Sequence, residues 1–275
     1  MKAAYINGKF VPLDKARVSV LDRGFQYGEG VFETMRAYRG FVFLPGRHLA
    51  RLKKSLKALG IRKKIPEKKL RKIIPALLKR NNRKDAYVKI IATKKTLLIY
   101  SLPYKSLPET EYARGYGVRV SRSAINGRNS ISGKKTLNYL ENVTARARAG
   151  EKGFDEAVLT DAEGNVAEAT GANIFIFKNG KLVTPRLESG ILPGITRGEV
   201  LRLAKKILKN RVVEKAVRKS DLYSAEEVFI TNSLIEIMPV VRVDRKKIGS
   251  GKPGPLTGRL RGLLKESISK NCRNR

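Results

Sequence analysis

The chain has 275 residues, which is enough for one large domain or two smaller domains with a substantial hydrophobic core. Apolar residues make up 41% of the sequence, as in globular proteins. No secretory signal is visible, and no apolar run reaches the roughly 18 residues that a membrane-spanning helix needs, so no membrane segment is expected. Its 59 Lys and Arg exceed its 24 Asp and Glu, and the formal net charge of +35 raises the question of a polyanionic partner.

The N-terminal part is predicted to begin with β-hairpins. The pair Asn7-Gly8 is a signal for a tight turn of two residues. A second turn is predicted at Arg39-Gly40, between two segments of strand-like composition. The strands predicted around and after this turn lie at 31–38, 41–44, 86–93 and 96–102.

Two amphipathic helices are predicted between these strands. Leucines at helical spacing indicate a helix over 46–59 that ends at Gly60. A second helix is predicted around 66–82, and Pro75 inside it is expected to produce a kink.

The positive charge is concentrated in residues 51–84, where fifteen Lys and Arg accompany a single acid, Glu67. Surfaces of this kind bind the phosphate backbones of nucleic acids. These cations, however, lie on the polar faces of the two predicted helices, with no aromatic residue among them and no nucleic-acid motif. The pattern favours a solvated basic face with weak, incidental polyanion binding, and no specific nucleic-acid partner is expected. A basic binding protein without catalysis is a less favoured alternative.

The second half of the chain is predicted to alternate helices and strands. A strand at 117–122 precedes the segment 123–134, whose Gly, Ser and Asn residues indicate an interdomain connection. The elements predicted after it are a helix at 136–149, strands at 156–160, 165–169, 173–177 and 181–184, a helix at 197–209, and strands near 212–217, 227–231 and 239–243. The predicted fold is α+β in two domains, a small N-terminal domain over 1–120 and a larger, β-rich domain over 135–275, joined by a loop over 121–134. A ligand site is expected where the domains meet.

Two motifs in the second half indicate chemistry. Lys134, Lys135 and Tyr139 lie in the segment Gly-Lys-Lys-Thr-Leu-Asn-Tyr, and Glu168 follows about thirty residues later in Asn-Val-Ala-Glu-Ala-Thr-Gly. A lysine amine can form a Schiff base with a carbonyl compound. An acid that comes after residues 165–167 of a predicted strand and before the apolar strand at 173–177 is costly unless it is paired, which favours a functional role for Glu168.

These motifs resemble those of the fold-type-IV, or class IV, enzymes that depend on pyridoxal 5'-phosphate (PLP). The family comprises branched-chain aminotransferases, D-amino acid aminotransferases and aminodeoxychorismate lyases. The resemblance covers nearly the whole chain and rests on several motifs in the family's order. Besides the lysine and glutamate segments, they are Asp22-Arg23-Gly24-Phe25, Tyr27-Gly28-Glu29-Gly30-Val31-Phe32-Glu33, His48-Leu49-Ala50-Arg51-Leu52, Gly153-Phe154-Asp155-Glu156-Ala157, Leu192-Pro193-Gly194-Ile195-Thr196-Arg197, Thr231-Asn232-Ser233 and Met238-Pro239-Val240.

The resemblance implies a Schiff base between the PLP aldehyde and one of two adjacent lysines. The Lys-Ser/Thr-Leu-Asn form of the family places the lysine three residues before Asn138, which selects Lys135, with Lys134 as the alternative. The freed amine of Lys135 is then expected to be the catalytic base that moves a proton from Cα of the substrate to C4′ of the cofactor.

The resemblance also implies the other cofactor-binding residues. Glu168 is expected at the pyridine nitrogen, where it keeps the ring an electron sink, and Tyr139 is expected to bond the ring oxygen. The amides of Ile195 and Thr196 and the Thr196 hydroxyl are expected to bind the phosphate, at a helix start with the Thr-x-x-Glu capping-box pattern that ends at Glu199. The remaining implied residues are Arg51 and Ser233 at the phosphate and Gly171, Leu192 and Gly194 as walls of the cofactor site.

Four residues are implied on the substrate side, namely Tyr27, Phe32, Lys89 and Leu234. Lys89 lies where branched-chain aminotransferases carry arginine and the lyases often carry lysine, which argues against D-amino acid specificity. The segment Asn232-Ser233-Leu234-Ile235 is closer to the lyase pattern than to the Gly-Thr-Ala of the branched-chain group.

The resemblance therefore implies a PLP-dependent aminotransferase that moves an amino group between an amino acid, with a branched-chain L-amino acid or glutamate favoured, and a 2-oxo acid. The alternative is an aminodeoxychorismate lyase, which eliminates pyruvate and gives 4-aminobenzoate, and a D-amino acid aminotransferase is less favoured. A homodimer is implied as well.

The single cysteine, Cys272, cannot form an internal disulfide, which is typical of the cytoplasm. The single histidine, His48, and the lack of acidic or cysteine groupings predict no metal site.

Overall fold

A computed structural model describes residues 2–125, 127 and 129–273 of the chain. It has the predicted α+β composition, and its contacts divide it into two compact units. The first unit comprises Met1–Ser106, Lys134–Asn138 and Ile268–Arg275, and the second comprises Leu107–Gly133 and Tyr139–Ser267. Across the described residues, no helix is both long and apolar enough to cross a membrane.

The first unit contains an antiparallel sheet of six strands within its described residues. They are β1 (Ala3–Ile6), β2 (Lys9–Pro12), β3 (Gly30–Tyr38), β4 (Phe41–Val42), β5 (Ala86–Thr93) and β6 (Leu97–Pro103), in the order β2-β1-β6-β5-β3-β4. The two predicted turns are confirmed, because Asn7, Gly8, Arg39 and Gly40 have φ angles of 45°, 102°, 51° and 89°. Positive φ at both central residues is what a two-residue hairpin turn requires.

The helices α1 (Arg23–Tyr27), α2 (Pro45–Ala58) and α3 (Glu67–Arg80) lie in the first unit, and α2 and α3 confirm the predicted helices. Their apolar stripes are buried in one core with alternate residues of β5, because the helical and strand periodicities each produce one apolar face. The helix residues of this core are Leu49, Leu52, Leu56, Leu70, Ile73, Ile74, Leu77 and Leu78. Pro75 is exposed, and α3 continues through it.

The second unit contains a mixed sheet of nine strands, counted over the residues that the structure describes. They are β7 (Tyr116–Ile125), β8 (Glu156–Asp161), β9 (Val166–Ala169), β10 (Asn173–Lys178), β11 (Lys181–Pro185), β12 (Val212–Lys215), β13 (Glu227–Asn232), β14 (Glu236–Val243) and β15 (Lys246–Lys247). The order is β12-β11-β10-β13-β14-β7-β8-β9, and β15 pairs with β14. β7 is parallel to β8 and β14, and β11 is parallel to β12. This order places β9 at one end of the sheet.

The remaining helices are α4 (Glu109–Arg114), α5 (Leu140–Gly150), α6 (Ile195–Leu208), α7 (Lys219–Tyr223) and α8 (Pro255–Arg273). The predicted helix at 136–149 is wrong at its start, because Thr136 pairs with Val31 of β3 instead of turning into the helix. The sequence prediction lacks α8, in which Gly258 and Gly262 lower the intrinsic preference for a helix. Within the predicted connection at 123–134, residues 123–125 extend β7, and Asn126 and Arg128 lie outside the described residues.

Candidate active site

The segment that carries the predicted lysine runs alongside β3 in the first unit. The N–H of Phe32 donates to the carbonyl of Lys135 at 2.9 Å, and the N–H of Leu137 donates to the carbonyl of Gly30, also at 2.9 Å. Thr136 and Val31 form the antiparallel bridge between these two bonds. The pairing fixes the backbone of Lys135 against the strand that carries Phe32.

Lys135 and Lys89 both contact the ring of Phe32. The Nζ atom of Lys135 lies 4.3 Å from the ring centroid, and the Nζ atom of Lys89, on β5, lies 3.7 Å from it. Both distances are in the range of cation–π attraction. The structure therefore brings the predicted catalytic lysine together with two predicted substrate residues.

The ammonium group of Lys89 is partly removed from water. Burial lowers the pKa of Lys89 to about 8, although the nearby carboxylate of Glu33 acts in the opposite direction. Most Lys89 side chains are therefore charged at pH 7, and most are neutral at pH 9. A half-buried cation beside an aromatic ring offers a charge to a substrate side chain that ends in a carboxylate, and the ring offers apolar contact to one that does not.

Glu33 lies next to Phe32 in β3 and orients the predicted phosphate-binding arginine. Nε and Nη2 of Arg51 donate to the two carboxylate oxygens of Glu33, each at 2.8 Å, and Nδ1 of His48 lies 2.7 Å from the same carboxylate. Burial raises the pKa of the Glu33 carboxyl, but the opposing effect of Arg51 and His48 is larger, and the resulting pKa is about 2. The bidentate geometry holds the guanidinium of Arg51 in one orientation.

His48 has the structural role in this group that its position near Arg51 suggests. Burial lowers its pKa, so the ring is neutral at pH 7. Because a carboxylate only accepts hydrogen bonds, the ring hydrogen of neutral His48 lies on Nδ1 and is donated to Glu33. No role is predicted for Glu33 from the sequence. It is one of two charged residues in a largely apolar strand, and this is the signal that could have found it.

Glu168 is held by a pair of donors in the second unit. It lies within β9, inside the predicted strand at 165–169 and not after it. The amide Nδ2 of Asn173 donates to Glu168 at 2.9 Å and also to the carbonyl of Leu192 at 2.9 Å, and the N–H of Leu192 lies 3.1 Å from both carboxylate oxygens. Asn173 is a functional residue that the sequence analysis missed, because a single Asn at the start of a strand carries no distinctive signal.

Two of the predicted phosphate-binding residues, Ile195 and Thr196, lie at the start of α6. Gly194 is the N-cap and Ile195 the first helical residue, whereas Thr196 lies inside the first turn and is buried. The predicted capping box is therefore wrong, since Thr196 does not occupy the N-cap and no side chain caps this helix. A Cβ atom at Gly194 would overlap Oδ1 of Asn173, so only glycine fits there. The first amides of the helix have no acceptors within it and point toward its N-terminal end.

Tyr139 holds the turn that follows Glu168. Its hydroxyl donates to the carbonyl of Thr170 at 2.9 Å, and Nδ2 of Asn142 donates to the same carbonyl at 2.8 Å. The hydroxyl of Thr170 donates to the buried carboxyl of Glu156. Burial raises the pKa of Glu156, against the opposing effect of the hydrogen bond from Thr170. The bond predicted between Tyr139 and a cofactor oxygen stays a prediction.

The loop that carries Ser233 and Leu234 is fixed by Asn232. The Oδ1 atom of Asn232 accepts the N–H of Leu234 at 2.8 Å and that of Ile235 at 2.9 Å, and its Nδ2 donates to the carbonyl of Gly171 at 2.8 Å. One side chain thus links this loop to the turn after Glu168. Tyr27, by contrast, is 64% exposed at the end of α1 and lies under the guanidinium of Arg23.

Comparisons with known sequences match nearly the whole chain. The sequence profile described as amino-transferase class IV matches residues 30–243. The chain is 39% identical over 280 residues to a putative branched-chain-amino-acid aminotransferase of Methanocaldococcus jannaschii, over 97% of this chain and 96% of that protein. It is also similar, at 34% identity over 276 residues, to a D-alanine aminotransferase of Bacillus licheniformis, over 95% of each chain.

Solved structures of branched-chain aminotransferases are similar in fold. The enzyme of Escherichia coli superposes with a TM-score of 0.92 at 27% identity, over 100% of this chain and 97% of that one. The enzyme of Thermobaculum terrenum, in its PLP form, has a TM-score of 0.88 at 29% identity, over 98% and 94% of the two chains. The similarity therefore includes the strands and helices that carry the residues described above.

Proposed function

Because the chain belongs to the class IV aminotransferases, we propose that it uses PLP to move an amino group from a branched-chain L-amino acid or glutamate to a 2-oxo acid. Family membership rests on the profile match over residues 30–243 and on the 39% identity to a relative matched along almost its full length. It confirms the fold type and the enzyme class that the sequence motifs indicate. The observation that carries the substrate proposal is the contact of Lys135 and Lys89 with the same ring, Phe32.

The donors and acceptors of the described residues fit PLP. Glu168 offers a carboxylate, already oriented by two donors, to a protonated ring nitrogen. The amides of Ile195 and Thr196 begin a helix of 14 residues, where a phosphate is favoured. Lys135 is the amine that would hold the cofactor covalently. When bound, PLP supplies a sink for the electrons released as the Cα–H bond of the substrate breaks.

The protein side chains are proposed to have separate roles in proton transfer, phosphate binding and positioning of the cofactor ring. Nζ of Lys135 would take the proton from Cα of the substrate and deliver it to C4′ of the cofactor, and it would carry the proton back in the reverse direction. Arg51, whose guanidinium Glu33 orients, and Ser233 are proposed to bind the phosphate. Tyr139, whose hydroxyl donates to the carbonyl of Thr170 in the turn after Glu168, is proposed to lie beside the PLP ring and to fix its position.

The substrate class is supported by the names of relatives and by Lys89. The M. jannaschii relative is named as a putative branched-chain-amino-acid aminotransferase, and the two structures are of branched-chain aminotransferases. The B. licheniformis relative is named as a D-alanine aminotransferase. Phe32 offers apolar contact to a branched side chain, and Lys89 offers a charge to the second carboxylate of glutamate. The lyase alternative is not favoured, because the compared proteins are aminotransferases.

The visible absorption of the PLP-loaded protein tests this function. We expect L-leucine or L-glutamate, added without an acceptor, to convert the yellow cofactor to its pyridoxamine form, because transamination leaves the amino group on the cofactor. A 2-oxo acid should then restore the yellow absorption. D-alanine is the matched comparison.

The outcomes separate the candidate activities. Conversion by L-leucine and not by D-alanine supports the proposal. Conversion by D-alanine alone assigns the chain to the D-amino acid group. Yellow absorption that persists with all three amino acids contradicts transamination of these substrates, and pyruvate release from aminodeoxychorismate then becomes the assay.

We predict that Lys89 makes glutamate recognition dependent on pH. Because its pKa is about 8, the cation is present below this pH and is lost above it. The Michaelis constant for glutamate should rise up to about tenfold per pH unit above 8, as the charged fraction falls. The constant for leucine should stay nearly flat. In Lys89→Met the glutamate constant should be about tenfold higher and should lose this pH dependence, and an unchanged glutamate profile would exclude the role.

A homodimer is proposed as the assembled form. Val18, Val20, Leu21, Phe25 and Tyr27 are 43%, 70%, 63%, 73% and 64% exposed, and such a group of apolar side chains is typical of protein interfaces. Sedimentation of the purified protein should give a particle of two chains, and a single chain would contradict this.

The cytoplasm is the proposed compartment, supported by the single cysteine.

A further inference from the structure

The pair of helices α2 and α3 forms the most positive surface segment of the chain. Residues 51–84 hold fifteen of the 59 Lys and Arg but only one of the 24 Asp and Glu. They are about an eighth of the sequence and carry a net charge of +14 out of +35. The charge of the protein is therefore not evenly spread, and a general basic composition does not account for this segment.

The fold presents most of these cations on one side of the first unit. The apolar stripes of both helices are buried in the core, which leaves the opposite stripes in water. We call the exposed cations of residues 51–84 the basic face. They are Lys53, Lys54, Lys57, Arg62, Lys64, Lys68, Lys69, Arg71, Lys72, Lys79, Arg80 and Lys84.

A single carboxylate links the two helices at the basic face. Glu67 of α3 accepts from Lys53 of α2 at 2.7 Å and from Arg71 at 2.9 Å. These two hydrogen bonds lower the pKa of Glu67. The ion pair with Lys53 connects α3 to α2. Because Glu67 is the only acid in residues 51–84, a large excess of positive charge remains.

The composition of the basic face points to one kind of partner. None of the exposed large apolar side chains of the described residues lies in α2 or α3, so the face lacks the apolar anchor of a membrane-binding helix and the apolar centre of a protein interface. It has no aromatic side chain to stack on single-stranded bases. A phosphate backbone is the partner that binds by charge alone, through the release of counterions.

We propose that the basic face binds the phosphate backbone of double-stranded nucleic acid without regard to sequence. Each helix has 14 residues, a length of about 21 Å, which matches about six base pairs of a duplex. Lysine, the more frequent cation here, contacts phosphate as a point charge and reads no base. The inference concerns a surface separate from the cofactor residues and goes beyond the aminotransferase function.

Two variants with the same net charge test the proposal. The first changes Lys54, Lys57, Lys64, Lys68 and Lys72 of the basic face to Gln. The second changes five exposed lysines of the second unit to Gln, namely Lys152, Lys205, Lys206, Lys219 and Lys252. Both lower the net charge equally, so a difference between them reports the position of the charge.

Fluorescence anisotropy with labelled 20-base-pair RNA and DNA duplexes, at several salt concentrations, gives the affinity and its salt dependence. We expect the basic-face variant to bind at least about tenfold more weakly and its salt slope to fall by about four, because each phosphate contact contributes about 0.9. The control variant should stay within about twofold of the unchanged protein. Unchanged transaminase activity in both variants verifies their folding.

Three results would overturn the proposal. Equal losses in the two variants would mean that binding follows total charge. Equal affinity for polyglutamate of matched charge would mean that the face does not select phosphate. No duplex binding near 0.1 M salt would mean that the face has no such partner. Binding of one duplex alone supports the proposal and identifies RNA or DNA as the source of the phosphates.

Discussion

Replacement of Lys135 by alanine should abolish the yellow absorption of the PLP-loaded protein and lower transaminase activity by a factor of about 10⁴ or more. The expected loss is this large because the variant loses both the covalent link to the cofactor and the base that moves the Cα proton. The measurements are the visible spectrum after addition of PLP and the rate of 2-oxo acid formation from L-leucine.

The structure explains why this loss should reflect chemistry and not misfolding. The segment is held by backbone hydrogen bonds, from Phe32 to Lys135 and from Leu137 to Gly30, and alanine retains both. The side chain that is removed contributes a contact with the Phe32 ring, a modest term. The thermal unfolding midpoint without PLP should therefore stay nearly unchanged.

Lys134→Ala is the matched control, because it removes an adjacent lysine from the same segment. It should retain the yellow absorption and most of the activity. The opposite pattern, with absorption lost in Lys134→Ala and retained in Lys135→Ala, would transfer the covalent role to Lys134. Borohydride reduction followed by peptide mapping would identify the labelled lysine directly.

Features set by nearby residues could be predicted from the sequence. The turns at Asn7-Gly8 and Arg39-Gly40 follow from the φ angles that these residues accept, and α2 and α3 follow from the spacing of their leucines. The order of the lysine and glutamate motifs was likewise visible, because a family resemblance is carried by short segments.

Features set by distant residues could not be predicted. Thr136 fits a helix by local pattern, but pairing with Val31, more than a hundred residues earlier, gives the segment hydrogen bonds that a helix would otherwise supply. The N-cap of α6 is Gly194 and not Thr196, and a Cβ atom at position 194 would overlap the side chain of Asn173. Contacts of this kind depend on the folded chain and leave no local signal.

The same distinction applies to the candidate site. Glu168 could be found as an unusual acid in a predicted strand, whereas Asn173, which orients it, could not. Arg51 and the charge of Glu33 are visible in the sequence, but the bidentate contact between them is visible only in the structure. Sequence thus indicates the residues that meet a ligand more readily than those that position them.

Glu168→Gln should lower transaminase activity by about 10²–10³-fold and weaken PLP binding, although the two side chains have nearly the same shape. The substitution removes the negative charge proposed to pair with the ring nitrogen, an electrostatic contribution of the size found for preorganised polar groups in active sites. Activity with L-leucine and the dissociation constant for PLP are the measurements.

The hydrogen bonds around Glu168 add a second effect of this substitution. The carboxylate accepts from Nδ2 of Asn173 and from the N–H of Leu192, both of which can only donate. A glutamine offers one accepting oxygen and one donating NH2 group. If its oxygen takes the position of Oε2, which accepts from both donors, the NH2 group replaces Oε1 and faces the N–H of Leu192, at a cost of about 1–3 kcal/mol in the free energy of unfolding. We expect a lower unfolding midpoint even without PLP.

Glu163→Gln provides the control, because it removes the same charge from an exposed position in the turn before β9. It should leave the activity, the PLP affinity and the unfolding midpoint nearly unchanged. Asn173→Ala separates orientation from charge, since it retains the carboxylate and removes one of its donors. We expect it to lower activity less than Glu168→Gln does. Full activity in Glu168→Gln, or an equal loss in Glu163→Gln, would show that the charge of Glu168 does not serve the cofactor.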